Sequence, residues 1–177
     1  MEIEQHSDRQ TFVYDLIYPA FLGAMLFEIV PLKSSLNYFI GLVIVIYYLF
    51  DYCHLYFYLR KRIPPEQRNT VRYVLFDFLV SFSLFFSFRY VEENIYITIW
   101  IFTCVSLWFL IYSTKIKYRT WFYWAYFIFG VICAITWTFF LPENSKSISA
   151  IIYIIIMALL YGIFILSTPK LSVNNGS

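Results

Sequence analysis

Four titratable residues lie within stretches otherwise composed almost wholly of apolar residues: Asp15, Asp51, His54 and Asp77. Tyr47, Asp51, His54 and Tyr58 follow one another at spacings of 4, 3 and 4. Such spacings put all four on one face of a helix. Tyr73, Asp77 and Ser81 repeat the theme further on. At 1.5 Å per residue from the basic ends of their runs, the three acids and the histidine lie roughly 6 to 12 Å deep in a bilayer.

Acids and imidazoles at that depth can line an ion or proton path, because they titrate and attract cations. They can equally satisfy one another, Arg9 or Arg72, as polar pins that fix a helix bundle. Three carboxylates and one histidine could in principle hold a divalent ion, but no spaced ligand motif accompanies them. Nucleophile elbows, P-loops, zinc helices and Cys-x-x-Cys pairs are also missing from the sequence. The residues therefore point away from an enzyme, a bound metal or a cofactor. One basic loop is too little to argue for nucleic acid.

These residues must be positioned by helices. Six apolar runs are expected to form spans, at about 11–31, 35–59, 71–91, 95–114, 121–141 and 148–168. Each is long enough to cross about 30 Å of hydrocarbon. The short connections make neighbours antiparallel. The fold expected is thus all-α, a single six-helix membrane domain over residues 1–170 with a disordered tail at 171–177.

Basic residues orient it. With the N-terminus cytoplasmic, that side holds Arg9, Arg60, Lys61, Arg62, Arg68, Arg72, Lys115, Lys117, Arg119 and Lys170, against Lys33, Arg89 and Lys146 on the other. Ten against three predicts both termini inside. The loop from Arg60 to Arg68 is the most basic segment, an orientation determinant or a lipid-headgroup contact.

Composition agrees with the membrane assignment. Of 177 residues, 61% are hydrophobic and 14% charged, and the mean hydropathy is +0.67, which excludes an ordinary soluble domain. The polar, acidic N-terminus does not read as a signal peptide. Cys53, Cys104 and Cys133 sit singly in separate runs and read as small buried residues, not disulfides. Tyr118, Trp121, Tyr123, Trp124 and Tyr126 cluster where the fifth helix meets the interface and read as an aromatic belt.

The first run combines Asp15, Pro19, Ala20, Gly23, Ala24 and Glu28. Pro19 removes a backbone hydrogen bond and predicts a kink. Ala20 and Ala24 allow another helix to approach closely. Glu28, about 4 to 5 Å from the outer end, is expected to snorkel to water. It follows Asp15 by 13 positions, which puts the two on different faces.

The layout resembles the six-helix potassium channels of endolysosomes and their prokaryotic relatives, which lack a P-loop filter. The first helix of that family opens on Arg, reaches an Asp six residues later and closes on a Leu-Glu-Ile-like ending. Arg9, Asp15 and Leu26-Phe27-Glu28-Ile29 are similar. The family's second helix ends in a Trp-x-x-His-His-Arg-like segment before a basic loop, which Phe50-Asp51-Tyr52-Cys53-His54 and Arg60-Lys61-Arg62 resemble. Leu75-Phe76-Asp77 resembles the Leu-x-Asn pattern with which the family's third helix often starts.

The chain departs from the family at Val13-Tyr14, at the single His54, and at the pore constriction, which falls on Ala20 with Gly23 after it. The resemblance implies a homotetramer with first helices around a central pore for monovalent cations. The functional expectation is therefore an oligomeric cation channel, potassium by resemblance, in a bacterial inner membrane. Its pore and gating residues would be Arg9, Asp15, Ala20, Gly23, Asp51, His54 and Asp77, with Pro19 and Ala24 in helix packing. A non-conducting membrane scaffold or partner subunit and a membrane-depolarising bacterial effector are the alternatives.

Overall fold

A computed structural model describes residues 13–30, 35–55, 71–117 and 119–166. Every element among them is helical. A π-helical turn, Val13–Ile17, runs into α1, Tyr18–Ile29. There follow α2, Ser35–His54, α3, Val71–Arg89, α4, Ile95–Ile116, α5, Thr120–Phe139, and α6, Glu143–Leu166. Four of them, α2, α4, α5 and α6, are long and apolar enough to cross a membrane. The protein is an integral membrane protein with an all-helical fold. Helices suit that solvent because they satisfy their backbone polar groups internally.

Local chemistry explains the boundaries. Pro19 lies in the first turn of α1, directly after the π turn, and its missing N–H removes a backbone hydrogen bond at that junction. The irregularity expected at Pro19 takes the form of the π turn before it. Asn94 caps α4, its Oδ1 accepting from the backbone N–H of Tyr96 at 3.0 Å and of Ile97 at 3.3 Å. Between α4 and α5 the backbone turns through left-handed Lys117 (φ 51°) and Arg119 (φ 44°). The Lys117 N–H closes α4 by donating to the Ser113 carbonyl.

The start of α6 differs from expectation, because Glu143 and Lys146 lie inside the helix and pair with each other instead of marking its edge. The run expected to end at Leu59 is helical through His54 in the described part. Arg9, Tyr58, the Arg60–Arg68 loop and residues 171–177 lie outside the described residues.

Lipid is as apolar as a leucine side chain, so packing and interhelical hydrogen bonds hold such a bundle together. Hydroxyls accordingly tie the helices. Ser87 Oγ donates to the Thr98 carbonyl at 3.0 Å, joining α3 to α4. Thr103 Oγ1 donates to the Ile99 carbonyl and accepts from Tyr153 at 2.6 Å, joining α4 to α6. At one end Lys146 Nζ reaches Glu143 and the Tyr96 hydroxyl, each at 2.6 Å. The same ammonium lies 4.7 Å from the Tyr96 ring centroid and 5.9 Å from that of Trp137. The Trp137 indole donates to the Lys146 carbonyl at 2.9 Å. This knot joins α4, α5 and α6.

Candidate functional site

The inner face of α2 carries Ile40, Ile44, Tyr47, Tyr48, Asp51 and His54, all buried. Its helical spacing brings Asp51 to the centre of the bundle with no exposed surface. A carboxyl there demands hydrogen-bond donors, and two tyrosines supply them. Tyr18 of α1 donates to Oδ2 at 2.9 Å. Tyr161 of α6 donates to Oδ1 at 3.0 Å. Asp51 thus joins the first, second and last helices.

Two further chains of hydroxyls flank it. Tyr48 donates to the Tyr18 carbonyl at 3.0 Å, so its 2.6 Å contact with Ser81 uses the serine proton. Tyr126 donates to the Met157 carbonyl at 3.1 Å and therefore accepts from Tyr47 at 3.0 Å. The rings pack as well as the hydroxyls bond. Tyr47 and Phe109 stack on Tyr161 with centroids 5.0 and 4.9 Å away. His54 is fully buried and meets Tyr161 and Phe164 edge-on at 6.0 and 6.2 Å. Asp77 is buried too, at 1% exposure, beside a small cavity bounded by Leu55, Tyr112, Ser113 and Tyr123.

Asp15 is arranged differently. It is exposed, and among the described residues it has no hydrogen bond or ion pair. It does not join the buried acids. Residues 15, 16, 19, 20, 23, 26, 27 and 30 are all exposed, and their spacing traces one continuous stripe along the π turn and α1. Asp15, Pro19, Ala20 and Gly23 lie on it, and a Cβ added at Gly23 would meet nothing within 4 Å. Ala24 is half-buried beside the stripe. The opposite side, Tyr18, Met25 and Ile29, is buried in the bundle.

Other expectations need correction. Tyr123 and Tyr126 are not belt residues. With Gly130, Ala134 and Trp137 they form the buried stripe of α5, while Trp121 and Trp124 are exposed at 74% and 50%. The cysteines are free but not buried, since Cys53 and Cys104 are exposed and Cys133 is intermediate. A thiol is apolar enough to face lipid. Glu28 has a partner, Arg89 of α3, at 3.8 Å on an open surface. Tyr18 and Tyr161 went unforeseen. Their only signal was a tyrosine in an apolar run, and 110 positions separate Tyr161 from Asp51.

Compared with family models, curated proteins and solved structures, the chain matches none of them.

Proposed function

We propose that the protein is a homo-oligomeric membrane channel that conducts monovalent cations, with the outward stripe of α1 lining the pore. The observation that carries this reading is the stripe itself. It presents a carboxylate, a proline and two small residues on the side of α1 that the bundle leaves open. An acid at that position is costly against lipid. It is accommodated where α1 helices of several copies surround water, and the carboxylate then concentrates cations. The offset between Arg9 and Asp15 and the resemblance to the six-helix potassium channels favour a tetramer. The ten-to-three basic asymmetry favours six spans with both termini inside a bacterial inner membrane.

Asp51, His54 and Asp77 then belong to the scaffold behind the pore. Asp51 holds α1 through Tyr18 and the far side of the bundle through Tyr161, so movement of α1 would be felt in that network. The same saturation of Asp51 by hydroxyls favours a second reading, a non-conducting module whose polar groups only pin the helices. Purified protein in liposomes under a potassium, sodium or proton gradient separates the two. Cation flux above that of protein-free liposomes supports the channel, and its absence from correctly folded, oligomeric protein supports the module.

A further inference from the structure

α5 and α6 are consecutive and antiparallel, yet they meet closely over only half their length. Toward the start of α5 the contact is tight. Phe122 stacks on Phe164 with ring centroids 3.8 Å apart, and Tyr126 donates to the Met157 carbonyl at 3.1 Å. At Gly130 the approach is so close that a Cβ would lie 2.9 Å from Met157 Cε. Beyond Gly130 a groove of about 220 Å³ opens between the two helices. The buried Trp137 and Tyr153 form its floor, Phe129 and Cys133 line it from α5, and Ile152 and Ile156 line it from α6.

The groove has the depth of one bilayer leaflet. The membrane-crossing segments of these helices are Thr120–Phe139 and Ser145–Ile165. Phe129 and Ile156 lie near the middle of those segments, whereas Leu141 and Ser149 lie near the turn that joins the helices. From Ser149 to Ile156 is about 10 Å at the helical rise, within the roughly 15 Å of one hydrocarbon leaflet. The polar side chains along it have already used their donors. Trp137 donates to the Lys146 carbonyl at 2.9 Å, the Tyr153 hydroxyl is 2.6 Å from that of Thr103, and Ser149 donates to the Ser145 carbonyl at 2.8 Å.

We propose that this groove is a binding site for one acyl chain of a membrane phospholipid, with the headgroup at the turn between α5 and α6 and the tail reaching the midplane. Phe129, Ile152 and Ile156 are exposed along its open side, which faces hydrocarbon. An apolar site of this kind stays dry and takes apolar occupants. Size decides against a second copy of the chain. Nine residues line the groove, whereas a stable protein interface engages roughly 20–30 a side. Spread over about 10 Å, the volume leaves a cross-section of roughly 20 Å², about a quarter of that of a helix with its side chains. At the mouth, Lys146 is matched by Glu143 at 2.6 Å, so the tail and not the charge of the headgroup sets recognition. The site holds whether or not α1 conducts.

Native mass spectrometry of the full chain in mild detergent, titrated with dioleoyl phosphatidylcholine, tests the site. The wild type is expected to bind one lipid per protomer saturably, and the lipid to raise the melting temperature by roughly 2 °C or more. Cys133→Phe places a ring in the groove and should move the midpoint of the titration at least about tenfold higher. Ile132→Phe, at an exposed position of α5 outside the groove, should leave the midpoint unchanged. Ile152→Trp fills the groove from α6 and decides if Cys133→Phe does not fold. Dioleoyl phosphatidylglycerol should titrate with the same midpoint as the neutral lipid. Groove-filled variants that bind lipid like the wild type overturn the proposal, and so does binding of the anionic lipid alone. Efficient cross-linking between copies through Ile152→Cys in membranes, with the native cysteines replaced, also overturns it, because a second chain then covers the groove.

Discussion

Tyr161→Phe removes one oxygen from a ring that is otherwise fully packed. The ring keeps its stacks with Tyr47 and Phe109, so the change isolates the 3.0 Å hydrogen bond to Asp51 Oδ1. Neutral interhelical hydrogen bonds in membrane bundles average only about 0.6 kcal/mol. This one should cost more, because Asp51 has no exposed surface and no water can replace the missing donor. Leaving a buried acceptor unsatisfied costs about 1–3 kcal/mol, and we expect a loss in that range. For a chain of this size it lowers the melting temperature by roughly 3 to 10 °C. The control is Tyr38→Phe, at an exposed ring, which should stay within about 0.5 kcal/mol. Asp51→Asn completes a double-mutant cycle, with a coupling of at least about 0.5 kcal/mol expected for groups in contact. Additive effects, or a Tyr161→Phe loss no larger than the control's, would mean that the Tyr161 hydroxyl does not serve Asp51.

Ala20→Leu adds bulk to the open stripe of α1, so it should leave insertion and protomer stability unchanged while lowering oligomer yield in membrane cross-linking or cation flux in liposomes. Two glycines make a contrasting pair. Gly23→Ala meets open space and should be neutral or stabilising by up to about 1 kcal/mol, whereas at Gly130 a Cβ would lie 2.9 Å from Met157 Cε, so Gly130→Ala must displace that methyl and should gain less than Gly23→Ala in thermal unfolding. At the end of the bundle, the Lys146 and Tyr96 hydrogen bonds hold the Glu143 carboxyl below its ordinary value of 4.5. A carboxyl so depressed contributes stability that is complete above that value and is lost as pH falls through the lower, folded one. Melting temperature against pH should therefore fall less on the acid side in Glu143→Gln than in the wild type.

The positions of the helices were legible because apolar runs separated by charges leave few alternatives. The inner face of α2 was legible for a different reason, since Tyr47, Asp51 and His54 at helical spacing are the costliest residues to leave against lipid. Orientation elsewhere was not. In a helix that is apolar all round, lipid face and core face look alike, so Tyr123 and Tyr126 of α5 read as interface residues and Cys104 of α4 as an interior one, the reverse of their places in the fold. The grouping of Asp15 with Asp51 and His54 rested on depth alone, which says nothing about direction around the helix. The Tyr18 and Tyr161 hydroxyls that serve Asp51 come from α1 and α6, and no local pattern announces a contact over such a separation. Lys146 reads as the edge of a run, although its pairing with Glu143 and the Tyr96 and Trp137 rings allows a helix to begin before it.

If the outward stripe of α1 faces a conducting pore, a thiol placed on it is open to reagents in water. Gly23→Cys is introduced with Cys53, Cys104 and Cys133 replaced, and cation flux from proteoliposomes is followed before and after a bulky, water-soluble thiol reagent. Flux is expected in the absence of reagent and its block on modification, with the cysteine-free parent unaffected. Flux no greater than in protein-free liposomes, or flux through fully modified protein equal to that of the unmodified protein, would contradict a pore at that stripe.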